Sequence, residues 1–217
     1  MDTTSYRTRF REYVGAIYEL AEEGLPVLQT RVADWLGVSR ASVSEMVHRM
    51  EEEGLVSTAG EIRLTAEGTN LAEVVVRRHR LAERFLSEVL GLPWVKVHAE
   101  AEVWETVISD DVERAMWDRL GNAQTCPHGN PIPGAGYKPP PVRQLSEVTM
   151  GLEHPLERIS EELELDSAIM GFLDEAGIRP GAGLRVDATG DLFEVTVSSG
   201  ATHAMERYVA ERLFVAV

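Results

Sequence analysis

Three groups of histidine, carboxylate and thiol side chains in this chain of 217 residues have the types and spacings of metal ligands. In the first two groups the members are three or four residues apart, which places them on one face of a helix. The groups are His79 with Glu83, His98 with Glu102 and Glu105, and Cys126 with His128. Imidazoles combined with several carboxylates suit Mn²⁺, Fe²⁺ or Zn²⁺.

The elements at the start of the chain have the order of a winged helix-turn-helix. Amphipathic spacing predicts helices over 6–24, 29–36 and 39–53, and a Gly-containing turn within 55–64 predicts a hairpin. The second helix of the pair carries short hydroxyls and basic groups that suit phosphates and base edges. The candidate DNA contacts are Arg31, Ser39, Arg40, Ser42, Ser44, His48, Arg49 and Arg63.

The remaining chain predicts a helical middle and a small β module. A long helix reaches Leu90, and two further helices follow over 94–108 and 110–120. Residues 121–147 are so rich in proline and glycine that we expect a linker without regular structure. A helix within 153–177 then precedes three expected strands. These strands cover Leu184–Ala188, Phe193–Val197 and Arg212–Val217, which suits a small, partly open β-barrel.

These patterns predict a mainly α protein with a small β domain, divided into three modules. The expected boundaries are 1–72 for DNA binding, 73–140 for metal binding and dimerisation with a linker to about 147, and 148–217 for the β domain. Taken alone, each ligand group could be a solvated surface pair or a chance spacing. Their joint occurrence beside a helix-turn-helix favours metal binding.

The charge balance raises an objection to DNA binding. The chain has 21 basic and 36 acidic side chains, a formal net charge of −15, whereas phosphate binding favours a basic surface. DNA binding must therefore depend on local arginines and on geometry. A single cysteine fits a reducing cytoplasm. No apolar run of about 18 residues predicts a membrane span, and no signal sequence opens the chain, so we expect a cytoplasmic protein.

Several stretches resemble the diphtheria-toxin-repressor family of metal-dependent transcriptional regulators. They occur in family order over about the first 135 residues, and the last of them is rather specific. The stretches are YELAEEG at 18–24, RHRLAER at 78–84, VHAEAE at 97–102, SDDVER at 109–114 and HGNPIPG at 128–134. GIRPG at 177–181 is similar in outline to the family's SH3-like (FeoA-like) C-terminal domain.

The resemblance implies a homodimer with two metal sites per subunit. The first site would use Glu12, Glu102 and Glu105, with His79 as a further candidate; Thr106 stands where the family usually has a histidine. The second site would combine His79, Glu83 and His98 with Cys126, His128 and a carboxylate of the C-terminal domain, at the position of Asp166. Glu12 and Glu102 replace softer ligands of the family, which favours Mn²⁺ over Fe²⁺.

The predicted function is a metal-dependent repressor of metal-uptake genes that binds a palindromic double-stranded DNA operator. Two alternatives remain open at this point. The first is a winged-helix regulator that responds to a signal other than metal. The second is a metal-dependent hydrolase with Glu102 or Glu105 as general base, which the lack of a His-Glu-x-x-His motif disfavours. We therefore expect no enzymatic activity.

Overall fold

A computed structural model describes residues 3–187 and 192–217. The chain forms two compact units, Met1–Arg78 and His79–Val217. The N-terminal unit contains α1 (Thr3–Glu22), α2 (Gln29–Leu36), α3 (Arg40–Glu52), β1 (Val56–Ala59), β2 (Glu61–Leu64) and the first part of α4 (Ala66–Glu88). The three-module boundaries expected from the sequence stay a prediction.

The N-terminal unit is a winged helix-turn-helix. Gly37 ends α2 with φ +62°, a left-handed conformation that glycine adopts without strain. Ser39 then begins α3, because its side chain accepts the Ser42 N–H. The two strands pair antiparallel, and the Ile62 N–H donates to the Val27 carbonyl at 2.9 Å, which fixes the hairpin beside the helices. One apolar core joins α1, α2, α3 and both strands.

The C-terminal unit contains the rest of α4, two further helices and a β domain. Its elements are α5 (Val97–Glu105), α6 (Asp110–Arg119), β3 (Val142–Gln144), β4 (Glu153–Ile159), α7 (Glu161–Glu164), α8 (Ser167–Glu175), β5 (Gly183–Val186), β6 (Leu192–Val197), β7 (Thr202–Glu206), α9 (Arg207–Ala210) and β8 (Leu213–Ala216). The six strands form one antiparallel sheet in the order β3-β8-β4-β5-β6-β7.

Two cores stabilise this unit. Leu81, Leu86 and Val97 belong to a cluster formed by α4, α5, α6 and the following loop. A larger cluster covers the inner face of the sheet with α7 and α8. Trp94, the first residue of the helix expected over 94–108, lies in a short 3-10 helix before α5 and packs with the sheet cluster. The chain after α6 packs with the helical cluster through Ile132.

The mainly α class with a C-terminal antiparallel β domain is confirmed, and the sheet has more strands than expected. Strand β3 lies in the stretch that we expected to be irregular, and β4 and β7 were not predicted. Pro155 lies inside β4 and obscured its strand pattern. Ala188, the end of one predicted strand, lies outside the described residues. Among the helices described, none is long and apolar enough to cross a membrane.

Candidate metal centre and nucleic-acid interface

Helix α4 directs two of the predicted ligands into the interior of the C-terminal unit. The side chains of His79 and Glu83 lie one turn apart and are 6% and 0% exposed. Leu81 and Ala82, between them, pack into the helical core. A carboxylate buried to this extent is strongly disfavoured unless it is paired or binds a metal. Glu83 therefore requires positive charge close to it.

The loop after α6 brings Cys126 and His128 to the same place, and both are buried. The Gly129 N–H donates to the Cys126 carbonyl at 3.0 Å and closes a tight turn. Gly129 has φ +93°, and a Cβ atom there would overlap the Glu157 carbonyl oxygen. The Ile159 N–H donates to the His128 carbonyl at 2.9 Å, so β4 fixes the position of the loop.

Glu164, the last residue of α7, supplies a second buried carboxylate that the sequence analysis did not identify. Its Oε2 lies 2.7 Å from Nδ1 of His128 and 3.2 Å from Nδ1 of His98. Four acidic residues lie between positions 161 and 166, and spacing alone does not select one of them. The packing of α7 against the sheet and the loop makes that choice.

Two overlapping groups of three side chains, His79–Glu83–His98 and Glu83–Cys126–His128, have ligand atoms within 4.8 Å of one another. Glu83 Oε1 is 3.4 Å from His79 Nε2 and 3.3 Å from His98 Nδ1. The same oxygen is 3.4 Å from His128 Nδ1, and the nearest nitrogens of His79 and His98 are 3.2 Å apart. Two atoms bound at right angles about 2.1 Å from a metal lie about 3.0 Å apart. Each group therefore fits a divalent cation, Glu83 belongs to both, and Cys126 Sγ lies 3.9 Å from His128 Nδ1 in the second.

Buried polar atoms of the cluster support the same interpretation. Within residues 3–187 and 192–217, Glu83 Oε2, Glu164 Oε2 and the Nε2 atom of His128 make no hydrogen bond. Glu164 Oε2 lies close to two imidazoles without the geometry of a hydrogen bond. Buried polar groups nearly always have a partner, so these atoms are available to bind an ion. The donor set is that of a metal site.

The carboxylates raise the pKa values of the imidazoles on α4 and α5. Burial lowers the pKa of His79, but hydrogen bonds and charges of Glu105 and Glu83 outweigh burial and raise it well above its usual value. Burial also lowers the pKa of His98, and contacts with Glu164 and Glu83 raise it to about 9. Without metal, these imidazoles supply positive charge to the buried carboxylates.

The loop residues follow the same pattern. Burial lowers the pKa of His128, whereas the charges of Glu164 and Glu83 raise it well above its usual value. In return, His128 lowers the pKa of Glu83 despite the opposing effect of burial. Burial, together with the charge of Glu83, raises the pKa of the Cys126 thiol to about 12. Metal binding at this cluster would displace protons.

The structure places Asp166 outside the cluster, contrary to the prediction that it supplies the C-terminal carboxylate. Asp166 is exposed, and its Oδ1 accepts the N–H groups of Ala168 at 2.9 Å and Ile169 at 3.1 Å. It therefore caps the N-terminus of α8. Glu164, two residues earlier, lies where Asp166 was expected.

We expect the substitutions Glu164→Ala and Asp166→Ala to have opposite profiles. Glu164→Ala should weaken Mn²⁺ binding by at least about tenfold, because it removes a buried ligand. Asp166→Ala should lower the free energy of unfolding by about 1 kcal/mol through loss of the cap and change Mn²⁺ affinity less than about twofold. Calorimetric Mn²⁺ titration and urea unfolding of both variants check this. Equal metal affinities in the two variants would contradict the assignment of Glu164.

The first predicted site has only part of its residues near the cluster. Glu105 Oε2 lies 2.8 Å from His79 Nδ1, the nitrogen that faces away from Glu83. Glu102 is exposed, and its Oε1 lies 3.9 Å from His98 Nε2. Glu12 lies on α1 of the N-terminal unit. Because this site combines residues of both units, it stays a prediction.

The predicted DNA contacts lie on α2, α3 and the hairpin of the N-terminal unit. The exposed ones are Arg31, Ser39, Arg40, Ser42, Ser44, His48 and Arg63, and Arg49 is half-buried. Ser39 Oγ is engaged in capping α3, at 3.1 Å from the Ser42 nitrogen and 2.9 Å from its Oγ. The exposed face of α3 thus presents small hydroxyls and Arg40 near its N-terminus, where positive dipole charge also favours phosphate.

Acidic side chains accompany two of these arginines. Arg49 Nη2 lies 2.5 Å from Glu45 Oε1 on the same helix, and Arg63 Nη2 lies 3.5 Å from Glu61 Oε2 on the hairpin. Exposed ion pairs of this kind contribute about 0–1 kcal/mol. The arginines can therefore exchange these partners for phosphates. These acidic partners were not predicted from the sequence.

Comparison with known proteins decides the family. Residues 6–62 match the iron dependent repressor N-terminal DNA binding domain, and residues 65–134 match the iron dependent repressor metal binding and dimerisation domain. The iron-dependent repressor IdeR of Mycobacterium tuberculosis is 42% identical over 190 residues, which cover 82% of this chain and 83% of that protein. The chain belongs to the iron-dependent repressor family. The resemblance stated from the sequence is confirmed.

Other members of this repressor family match nearly the whole chain. The diphtheria toxin repressor of Corynebacterium jeikeium is 36% identical over 213 residues, covering 87% of this chain and 89% of that protein. The structure of a manganese-dependent transcriptional repressor in complex with manganese superposes with a TM-score of 0.87 and 34% identity, covering 95% and 99% of the two chains. This chain is accordingly a metal-dependent DNA-binding repressor with a dimerisation domain, and not an enzyme.

Proposed function

We propose that this repressor responds to Mn²⁺ in preference to Fe²⁺ and controls metal-uptake genes in the cytoplasm. The observation that carries the proposal is the buried cluster of imidazole nitrogens and carboxylate oxygens in the C-terminal unit. The residues that would hold the ion are His79, Glu83, His98, His128 and Glu164, with Cys126 beside them. A bound divalent ion would supply the positive charge that the two buried carboxylates require.

Ligand chemistry supports Mn²⁺ without excluding Fe²⁺. Carboxylate oxygens suit Mn²⁺, whereas thiolates favour softer ions. Three imidazoles and two carboxylates outnumber the single thiol of Cys126, so oxygen and nitrogen donors dominate the cluster. The manganese-bound relative with a TM-score of 0.87 favours the same choice, while the M. tuberculosis relative is named iron-dependent.

We propose a second ion per subunit at Glu12, Glu102 and Glu105. Three carboxylates form a hard donor set that suits Mn²⁺. Thr106, which replaces the family histidine, donates its hydroxyl to the Val103 carbonyl at 2.8 Å and is engaged within its own helix turn. This site would therefore have fewer ligands than the buried cluster and bind metal more weakly.

We propose that a homodimer binds a palindromic double-stranded DNA operator. Two copies of α3 in successive major grooves would lie about 34 Å apart, one turn of DNA. The arginines of α3 and of the hairpin would contact phosphates, and the serines near the start of α3 would contact phosphates or base edges. Because the chain is acidic overall, the affinity for DNA should depend more on the fixed spacing of the two copies of α3 than on net charge.

Selection of DNA by the full-length protein tests this function. A random double-stranded library is bound in Mn²⁺, in Fe²⁺ without oxygen, or in EDTA, and the retained DNA is sequenced. We expect a palindromic sequence to be enriched in both metals, at lower concentration of Mn²⁺, and not in EDTA. Equal enrichment in EDTA would contradict metal dependence and favour a regulator of another signal. Enrichment at a lower concentration of Fe²⁺ than of Mn²⁺ would contradict only the proposed preference for Mn²⁺ and not the metal dependence.

A further inference from the structure

The two carboxylate oxygens of Glu164 have different surroundings. Oε1 accepts a hydrogen bond from Nδ2 of Asn130 at 2.9 Å. Oε2 faces the Nδ1 atoms of His128 and His98 at 2.7 and 3.2 Å and makes no hydrogen bond within the described parts of the chain. One oxygen is therefore held by the protein, and the other is directed at the ligand cluster.

Asn130 is itself held firmly in place. It is 1% exposed, and its Nδ2 also donates to the Ile159 carbonyl at 2.9 Å. Its Oδ1 accepts from Nη1 of Arg158 at 3.4 Å, and its backbone carbonyl accepts the Cys126 N–H at 2.9 Å. Both amide hydrogens and the amide oxygen are thus engaged. The direction of the hydrogen bond to Glu164 is fixed by these neighbours.

We propose that Asn130 is a positioning residue that keeps Glu164 as a one-oxygen metal ligand and thereby sets the coordination number of the buried site. This inference rests on the proposed function, because it concerns the same cluster. A carboxylate can offer a metal one or two oxygens, and large cations accept the second oxygen within shells of seven or eight ligands. Withholding Oε1 favours a smaller six-coordinate ion such as Mn²⁺ over a larger ion such as Cd²⁺.

The energetic basis of the proposal is the hydrogen bond that Asn130 donates to Glu164 inside the protein. Rotating Glu164 to bind through both oxygens would break the bond to Oε1 and leave the Asn130 amide with an unsatisfied buried hydrogen, which is costly. Residues that hydrogen-bond a metal ligand in this way change the affinity for the metal by about 10–100-fold. Removing the amide should therefore change the selectivity between ions as well as the affinity for one ion.

The test compares Mn²⁺ and Cd²⁺ binding to the full-length wild-type protein, Asn130→Ala and the control Asn70→Ala, an exposed asparagine on α4. Calorimetric titration gives both dissociation constants and the number of sites. We expect Asn130→Ala to weaken Mn²⁺ binding about tenfold and Cd²⁺ binding less than about twofold, since the larger ion gains the freed oxygen. Asn70→Ala should match the wild type.

If the binding of both ions is weakened equally, or the binding of neither ion changes, the proposal is overturned. Asn130 would then have a structural role at most. If the wild type binds neither ion at the cluster, the proposed function fails together with this inference. Thermal unfolding of the metal-free proteins establishes that the variant is folded. Should Asn130→Ala not fold, Asn130→Ser gives the same comparison, because its hydroxyl is too short to reach Glu164 and keeps a polar group in the loop.

Discussion

Replacing Glu83 by glutamine is expected to abolish tight Mn²⁺ binding at the buried cluster and with it metal-dependent DNA binding. Glu83 Oε1 lies within 3.4 Å of His79 and His128 and 3.3 Å of His98, so it is the contact that the three imidazoles share. Glutamine preserves the volume and removes the charge. We expect the affinity for Mn²⁺ to fall more than about 100-fold. This exceeds the effect of losing a residue that only hydrogen-bonds a metal ligand.

The matched control for this substitution is Glu88→Gln. Glu88 lies at the end of the same helix, is exposed, and pairs with Arg84 at 2.6 Å. It removes the same charge without touching the cluster, and we expect Mn²⁺ affinity within about twofold of wild type. Calorimetry with Mn²⁺ and fluorescence anisotropy with the selected DNA measure both variants. Wild-type metal response in Glu83→Gln would contradict the role of the cluster.

Replacing Arg80 by methionine is expected to destabilise the C-terminal unit by about 3–5 kcal/mol, the cost of breaking a buried ion pair on one side. The Arg80 side chain is 1% exposed, and its Nε donates to Glu161 Oε1 at 2.7 Å. Its Nη1 donates to the Pro131 carbonyl. The pair joins α4, the loop of His128 and α7, the helix that carries Glu164. Loss of the guanidinium removes this buried ion pair and leaves the Glu161 carboxylate buried without Arg80.

Urea unfolding of three variants separates this effect from general damage to the core. The double substitution Arg80→Met with Glu161→Leu should recover most of the lost free energy of unfolding, because it also removes the buried carboxylate. The control Arg114→Met removes an exposed pair with Asp111 at 2.7 Å and should cost less than about 1 kcal/mol. A double variant as unstable as the single one would show that the loss comes from packing and not from breaking the ion pair.

The sequence was most informative where ligands share a regular element. Helical spacing placed His79 with Glu83, and the rather specific motif at 128–134 indicated the loop of His128 and the family. The winged helix followed from Gly37 and Ser39, because a left-handed turn and an N-cap are local requirements. Each of these features is determined by residues a few positions apart, which is the range over which sequence patterns are informative.

The features that the sequence did not predict depend on long-range packing. Glu164 reaches the cluster because α7 follows β4, a strand that carries Pro155 and joins the sheet through distant partners. Asp166 was the alternative from the family pattern, and its use as a helix cap becomes visible only when α8 is placed. Asn130 was part of a quoted motif, yet its hydrogen bond to Glu164 spans 34 positions. No local spacing predicts such a contact.

The acidic residues fall into distinct structural groups. Part of the excess of 36 acidic over 21 basic residues consists of buried carboxylates paired with imidazoles, such as Glu83 and Glu164. Another part lies beside arginines that we predict to contact DNA, at Glu45 and Glu61. Competition from these carboxylates should make DNA binding weak and salt-sensitive unless geometry assists it.

An anomalous difference map of crystals grown with Mn²⁺ tests the central claim most directly. We predict a strong peak in each subunit within about 2.3 Å, the bond length of a divalent metal, of one Glu83 oxygen and of at least two of the atoms His79 Nε2, His98 Nδ1, His128 Nδ1 and Glu164 Oε2. A map with no peak among these five atoms, in crystals whose protein binds its DNA with Mn²⁺ present, would contradict the claim that this cluster is the metal sensor.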